Sequence, residues 1–217
     1  MRIDVWSDLV CPWCYIGKRR LERALAEFPD RERVEIVHRS FQLNPSAPMA
    51  TTARRRDYLM AKYHWSAAQA EKIDADMERR AATDGLEYHL SAEGLTGNTL
   101  DAHRLVHLAR ERGRQDAAVE RFFRAYFTEQ RSLFDHASLR TLAIDVDLEP
   151  TDVQRVLDSH EYSDAVAADN DEARALGVTG VPFFVFDRRL GVSGAQTVEV
   201  FAEALTQAST ASPTNSA

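Results

Sequence analysis

The sequence predicts an α/β fold of order β-α-β … β-β-α, interrupted by a large all-helical insertion domain. Three observations carry that prediction: strand-like runs confined to the two ends of the chain, helical periodicity through the middle, and two cysteines spaced Cys-x-x-Cys at the first strand–helix junction. With 217 residues, 44% apolar and 28% charged, the chain can build a sizeable core. Its net charge of −7 argues against a nucleic-acid or anionic-membrane binder. The longest apolar run, residues 181–186, is too short to span a bilayer.

Taken in order, Ile3 and Val5, with Leu9 beyond them, alternate with polar neighbours as a first strand. Pro12 suits the first turn of the helix that follows, where a missing N–H costs nothing. Leu21, Leu25 and Phe28 continue that helix at i, i+4 and i+7, and Pro29-Asp30 ends it. Residues 34–43 read as a second strand, closed by Asn44-Pro45. From 51 to 176 the signals are helical. Ser66 with Gln69, and Thr151 with Gln154, have the spacing of capping boxes. Gly85, Gly113 and Gly177 stand where helices should stop. Val119, Phe122, Phe123, Tyr126 and Phe127 form the strongest amphipathic stripe and read as core, while residues 86–98, with Gly94 and Gly97, read as loop. Residues 183–186 are apolar on both faces, as a central strand requires. A turn at 187–189, a short strand near 190–192 and a helix carrying Val198, Phe201 and Leu205 complete the pattern. The order is that of a thioredoxin fold. It divides the chain into a thioredoxin-like domain (1–50 and 177–208), a helical insertion (51–176) and a polar tail (209–217) expected to be disordered.

The only two cysteines are Cys11 and Cys14, so whatever they do they do with each other. Met1-Arg2-Ile3-Asp4 is polar where a leader needs its apolar stretch, so a cytoplasmic protein is expected. There a cysteine pair is redox-active or metal-binding more often than a structural staple. Cys11 falls at the helix N-cap, where free backbone N–H groups and the positive end of the helix dipole favour a thiolate. Cys14, one turn in, points back toward Cys11. Cys11 is thus the expected nucleophile and Cys14 the resolving thiol, with Pro12 and Trp13 modulating them. Trp13 is neutral and adds no cationic field, which places the couple between the strongly oxidising and strongly reducing extremes. In a thioredoxin fold a proline opening the third strand is cis and faces the cysteines; here that is Pro182, with the backbone of Val181 offered to an extended substrate.

The run Cys11-Pro12-Trp13-Cys14-Tyr15-Ile16-Gly17 after Ser7-Asp8 is one part of a wider pattern. With it stand Asn98-Thr99 and Ala102-His103-Arg104 in the insertion, residues 177–184, and Ser193-Gly194-Ala195-Gln196. Together these resemble the FrnE-like branch of the DsbA family over essentially the whole chain except the tail. The resemblance implies a dithiol oxidoreductase or disulfide isomerase with no bound cofactor beyond its own redox disulfide, Cys11–Cys14. Its partners would be protein or small-molecule thiols and disulfides, glutathione or another dithiol among them. Related 2-hydroxychromene-2-carboxylate isomerases and kappa-class glutathione transferases, the alternative class, typically carry serine where this chain has Cys11.

Blander readings stand beside these. His103 and His107 lie i, i+4 on a predicted helix and formally complete a Cys2His2 zinc set, but roughly 90 residues separate the two pairs. Asn98 serves equally as a helix cap and His103 as an ordinary helix residue, against a substrate contact for both. Arg54-Arg55-Arg56 reads as a solvated helix start. Met60, Tyr63 and Trp65 either line a groove facing the thiols or simply pack. The sequence is silent on oligomeric state.

Overall fold

A computed structural model describes residues 1–49 and 52–210. Four strands form the sheet in the order β2-β1-β5-β6, with β1 (Arg2–Ser7), β2 (Glu35–Ser40), β5 (Phe183–Phe186) and β6 (Leu190–Ser193). β1 and β2 are parallel, with Val5 opposite His38, and are joined through α1 (Pro12–Ala26). β5 runs antiparallel to β1, and β6 antiparallel to β5. The turn between them holds Asp187 and Arg188 at φ of 47° and 58°; Asp187 is held there by the Arg2 N–H, which donates to its side chain at 2.7 Å. The thioredoxin order expected from the sequence is therefore present.

Side chains alternate across the sheet and build a layer on each face. Ile3, Val5, Phe184 and Phe186 pack with Leu21 of α1 and with Phe201 and Leu205 of α9 (Val198–Thr210). Trp6 and Val185 point the other way, toward Ala173 of α8 (Ser163–Ala175). α8 lies along β2, and the Asp169 backbone carbonyl accepts from the buried Trp6 indole N–H at 2.9 Å. The remaining helices are α2 (Arg55–Tyr63), α3 (Ala67–Thr83), α4 (Leu100–Glu111), α5 (Gln115–Phe127), α6 (His136–Ile144) and α7 (Pro150–Leu157). Around α4 and α5 they form a second core in which Val119, Phe122, Phe123 and Phe127 are buried. A two-residue ladder joins β3 (Ala53–Arg54) to β4 (Leu95–Thr96), the latter inside the stretch expected to be loop.

Local signals were mostly obeyed. Ser66 and Gln69 close a reciprocal capping box on α3. Gly85, Gly113 and Gly177 adopt φ near +70° past helix ends, the left-handed conformation that costs glycine least. Thr151 is a correction. Pro150 takes the first helical position and Glu149 the N-cap, so Thr151 lies inside α7 and Gln154 donates instead to Asp158. Leu9 lies beyond β1, in the turn that delivers the cysteines, and α1 ends before Phe28. The polar tail was expected from Ser209, yet α9 runs to Thr210; residues 211–217 lie outside the described ones.

Candidate active site

The sheet, α1 and the helical layer meet at the two cysteines. Cys11 is the N-cap of α1, its backbone N–H donating to Asp8 O at 3.0 Å, and Pro12 opens the helix. Both cysteines are free thiols. Cys11, 5% exposed, lines a cleft of about 550 Å³, whereas Cys14, 2% exposed, is not among the residues lining it. Burial, and then the neighbouring Cys11 sulfur, hold the Cys14 thiol well above its ordinary range. Of the pair, Cys14 is the one kept protonated and away from the cleft.

Across from Cys11 stands the loop before β5. The Val181–Pro182 peptide is cis, and the Cys11 thiol donates to Val181 O at 3.6 Å. Pro182 O accepts from Gly194 N at 2.8 Å, which ties this loop to the end of β6. Gly17 is the seat on α1 against which the loop rests. A Cβ there would stand 2.9 Å from Pro182 Cγ and 3.1 Å from Phe184 Cζ. Gly17→Ala should therefore cost about 1–3 kcal/mol in urea unfolding. It should also slow exchange with disulfide partners more than it slows alkylation of Cys11 by a small reagent, because the displaced loop is what a partner meets. Equal stability of the two proteins would refute this.

The cleft walls come from several elements. Tyr58, Lys62 and Tyr63 belong to α2, Ile73 and Met77 to α3, and Trp65 to the link between them. Tyr63 and Trp65 thus line the same cleft as Cys11, while Met60 is not among the lining residues. Trp13 is 37% exposed at the rim, with the Arg80 guanidinium 5.9 Å from its ring centre. Arg55 and Arg56 are more than a solvated helix start: both pair with Asp74, at 2.8 and 3.1 Å. Beneath the cysteines, Tyr15 stacks on Phe123 with centroids 4.9 Å apart, and Tyr88 on Phe127 at 4.6 Å. The Tyr88 hydroxyl donates to Pro12 O at 2.7 Å and so anchors the first turn of α1. Tyr88 lies in a stretch whose side chains alternate between buried and exposed, a signal the loop reading passed over.

Two expected contacts fall elsewhere. Asn98 does not line the cleft. Its oxygen accepts from Leu100 N and Gln42 Nε2, and its amide donates to Ala47 O at 2.6 Å, so its polar atoms are spent tying the loop after β2 to the start of α4. His103 is 2% exposed and faces the Asp8 carboxylate at 3.4 Å; burial removes it from any substrate surface. Asp8 in turn accepts from Leu43 N at 2.8 Å. His107 sits between Ser40 and Asp169, apart from the cysteines. Among the described residues no group of three or more His, Cys, Asp or Glu side chains is placed to hold a metal.

Comparison with known proteins bears on the fold. The model of the DSBA-like thioredoxin domain family matches residues 2–206. The crystal structure of a protein described as a probable DsbA oxidoreductase from Streptomyces coelicolor is 47% identical. It covers 98% of this chain and 91% of its own, with a TM-score of 0.93. The YwbO protein of Bacillus subtilis (strain 168) is 26% identical over 210 residues, 94% of this chain and 96% of its own. DsbM, a cytosolic disulfide reductase of Pseudomonas aeruginosa, is 16% identical and covers 97% of this chain and all of its own at a TM-score of 0.67, a likeness of fold.

Proposed function

This chain belongs to the DsbA-like thioredoxin family, and from that premise we propose that it exchanges disulfides with thiol partners through a mixed disulfide on Cys11. The observation that carries the reading is the placement of the two thiols. Cys11 is at a helix N-terminus, open to the cleft and 3.6 Å from the Val181 carbonyl, with Cys14 directly behind it. In the oxidising direction Cys11 attacks a partner disulfide and one partner sulfur leaves. Cys14 then attacks Cys11 Sγ, releases the second partner sulfur and leaves the Cys11–Cys14 disulfide. The reverse sequence reduces the protein and oxidises the partner. Pro12 and Trp13 shape the first turn, and the Val181–Pro182 loop presents backbone to the partner.

A cleft of about 550 Å³ has room for an extended peptide side chain or for a tripeptide thiol such as glutathione, and both are partners under this proposal. Isomerase activity and a reducing, cytoplasmic setting are further parts of it. Limiting iodoacetamide on the reduced protein, followed by peptide mass mapping, should label Cys11 before Cys14. Labelling of Cys14 first would reverse the assigned roles. Failure of the pair to equilibrate with glutathione and its disulfide would overturn the proposal.

A further inference from the structure

We propose that Lys62 reads a negative charge on the partner, so that the cleft takes small-molecule disulfides bearing a carboxylate on an apolar body ahead of neutral or cationic ones of the same size. This rests on the reading above that partners exchange at Cys11 through this cleft, and it names the class of partner.

The charges lining the cleft are Asp8, Arg55, Lys62 and Asp74. All but Lys62 are engaged within the protein. Asp8 is 1% exposed, accepts from Leu43 N and faces His103. Asp74 is buried and pairs with both Arg55 and Arg56, so Arg55 has its counter-ion. Lys62 is exposed on α2 and pairs with no carboxylate among the described residues. In a chain of net charge −7, an uncompensated cation on the wall of the cleft runs against the overall balance.

Lys62 is held by aromatic rings instead. Its Nζ is 5.6 Å from the ring centres of both Tyr58 and Tyr63, and Tyr63 stacks on Trp65 with centroids 4.8 Å apart. Trp13, another lining residue, carries Arg80 on its ring, and Arg80 too pairs with no carboxylate among the described residues. This arrangement decides the sign of the guest. Bare aromatic walls attract cations. Here the rings already carry two of the protein's own cations, so a cationic guest meets like charge and an anionic one meets opposite charge.

The body of the guest is set by the remaining walls. Ile73, Met77 and Leu90 offer apolar surface. A cleft of about 550 Å³ lies within the range of small-molecule sites, roughly 300–1,000 Å³, which favours a compact guest over an acidic peptide. In the exchange the Cys11 thiolate bonds to the guest's sulfur, and the guest's second sulfur leaves as a thiolate. Lys62 takes no proton and makes no covalent bond; it acts on the guest's carboxylate and sets specificity.

The test uses the full-length reduced protein and pyridyl disulfides that all release the same neutral thiopyridone. Their other halves are 4-(mercaptomethyl)benzoate, the matching benzamide, the matching benzylamine, and a cysteine heptapeptide with two glutamates. Stopped-flow rates should fall from benzoate to benzamide to benzylamine, by about three- to fivefold at each step in low salt. The spread should collapse in about 1 M sodium chloride, where charge is screened within about 3 Å. Lys62→Gln should lower the benzoate-to-benzamide ratio by a similar factor, and Lys62→Glu should invert the order. Lys62 is exposed, so both variants should fold; Lys72→Gln, exposed on α3 and outside the cleft, should keep the wild-type ratio. Equal slowing of every probe by Lys62→Gln overturns the proposal, since that reports a change at Cys11 itself. The wild-type order persisting in Lys62→Glu overturns it as well, and a faster reaction with the peptide than with the benzoate assigns the cleft to acidic peptides instead. If no probe reacts faster with the wild type than with Cys11→Ser, it is exchange at Cys11 that fails.

Discussion

Cys11→Ser is expected to lose disulfide exchange by on the order of 10³-fold or more, whereas Cys14→Ser is expected to complete one half-reaction and stop. The two outcomes differ because the two sulfurs occupy different surroundings. Cys11 Sγ is the sulfur on the cleft, so its removal leaves a partner nothing to attack. The Cys14 thiol is buried and held protonated, so in Cys11→Ser it should not substitute. Cys14→Ser keeps the cleft, the helix N-terminus and the Val181 carbonyl, and therefore the first attack. Without the second sulfur the partner stays attached to Cys11. Intact mass should show one partner adduct on Cys14→Ser, removed by excess dithiothreitol, and none on Cys11→Ser. Reduced protein should also quench or enhance Trp13 emission relative to the oxidised form in the wild type alone, since Trp13 sits between the sulfurs in sequence. An adduct on Cys11→Ser, or full turnover by Cys14→Ser, would assign the chemistry to the wrong sulfur.

How far the site was legible in the sequence depended on the range of the interactions that build it. Cys11, Pro12, Cys14 and Pro182 are encoded by local chemistry: a helix start, a residue spacing and a strand-opening proline. Asn98 and His103 were left open between a substrate contact and a cap or ordinary helix residue because their partners are remote, Ala47 lying 51 residues away and Asp8 lying 95 residues away. Helical spacing says that such a residue faces inward or outward; it does not say which buried group it meets. The Thr151 capping box lost to a stronger local signal one residue earlier, Pro150 at the first helical position. Gly17 stood in the sequence only as the end of the run that begins at Cys11, and the tertiary structure alone shows that Pro182 approaches it. His38 read as one more position of a strand, and its partners Gln115 and Asp116 belong to a helix 77 and 78 residues further on.

Asp169→Asn is expected to destabilise the protein by about 3–5 kcal/mol at neutral pH, the cost of breaking a buried ion pair from one side. Asp169 is 3% exposed on α8, where Arg39 Nη1 and Ser40 N each donate to its carboxylate at 2.9 Å and His107 Nε2 lies 3.2 Å away. Asparagine retains one acceptor but turns an N–H group toward these donors and leaves Arg39 with only Asp4 and the more distant Glu172. Burial opposes the charge of Asp169, yet His107, the Ser40 N–H and Arg39 outweigh it and hold the carboxyl below its usual range. A carboxyl depressed in the folded state adds stability that is complete above its unfolded value, about 3.9, and is lost as pH falls through the folded value. The gap between wild type and Asp169→Asn should therefore be widest near neutrality and shrink on acidification. Other depressed carboxyls such as Glu120 are common to both proteins and largely cancel in the difference. Urea unfolding at pH about 7 and about 3 measures both quantities. A gap under about 1 kcal/mol at neutral pH, or one that does not change with pH, would show that α8 is held to the sheet by Trp6, Ala173 and Val185 without help from this charge.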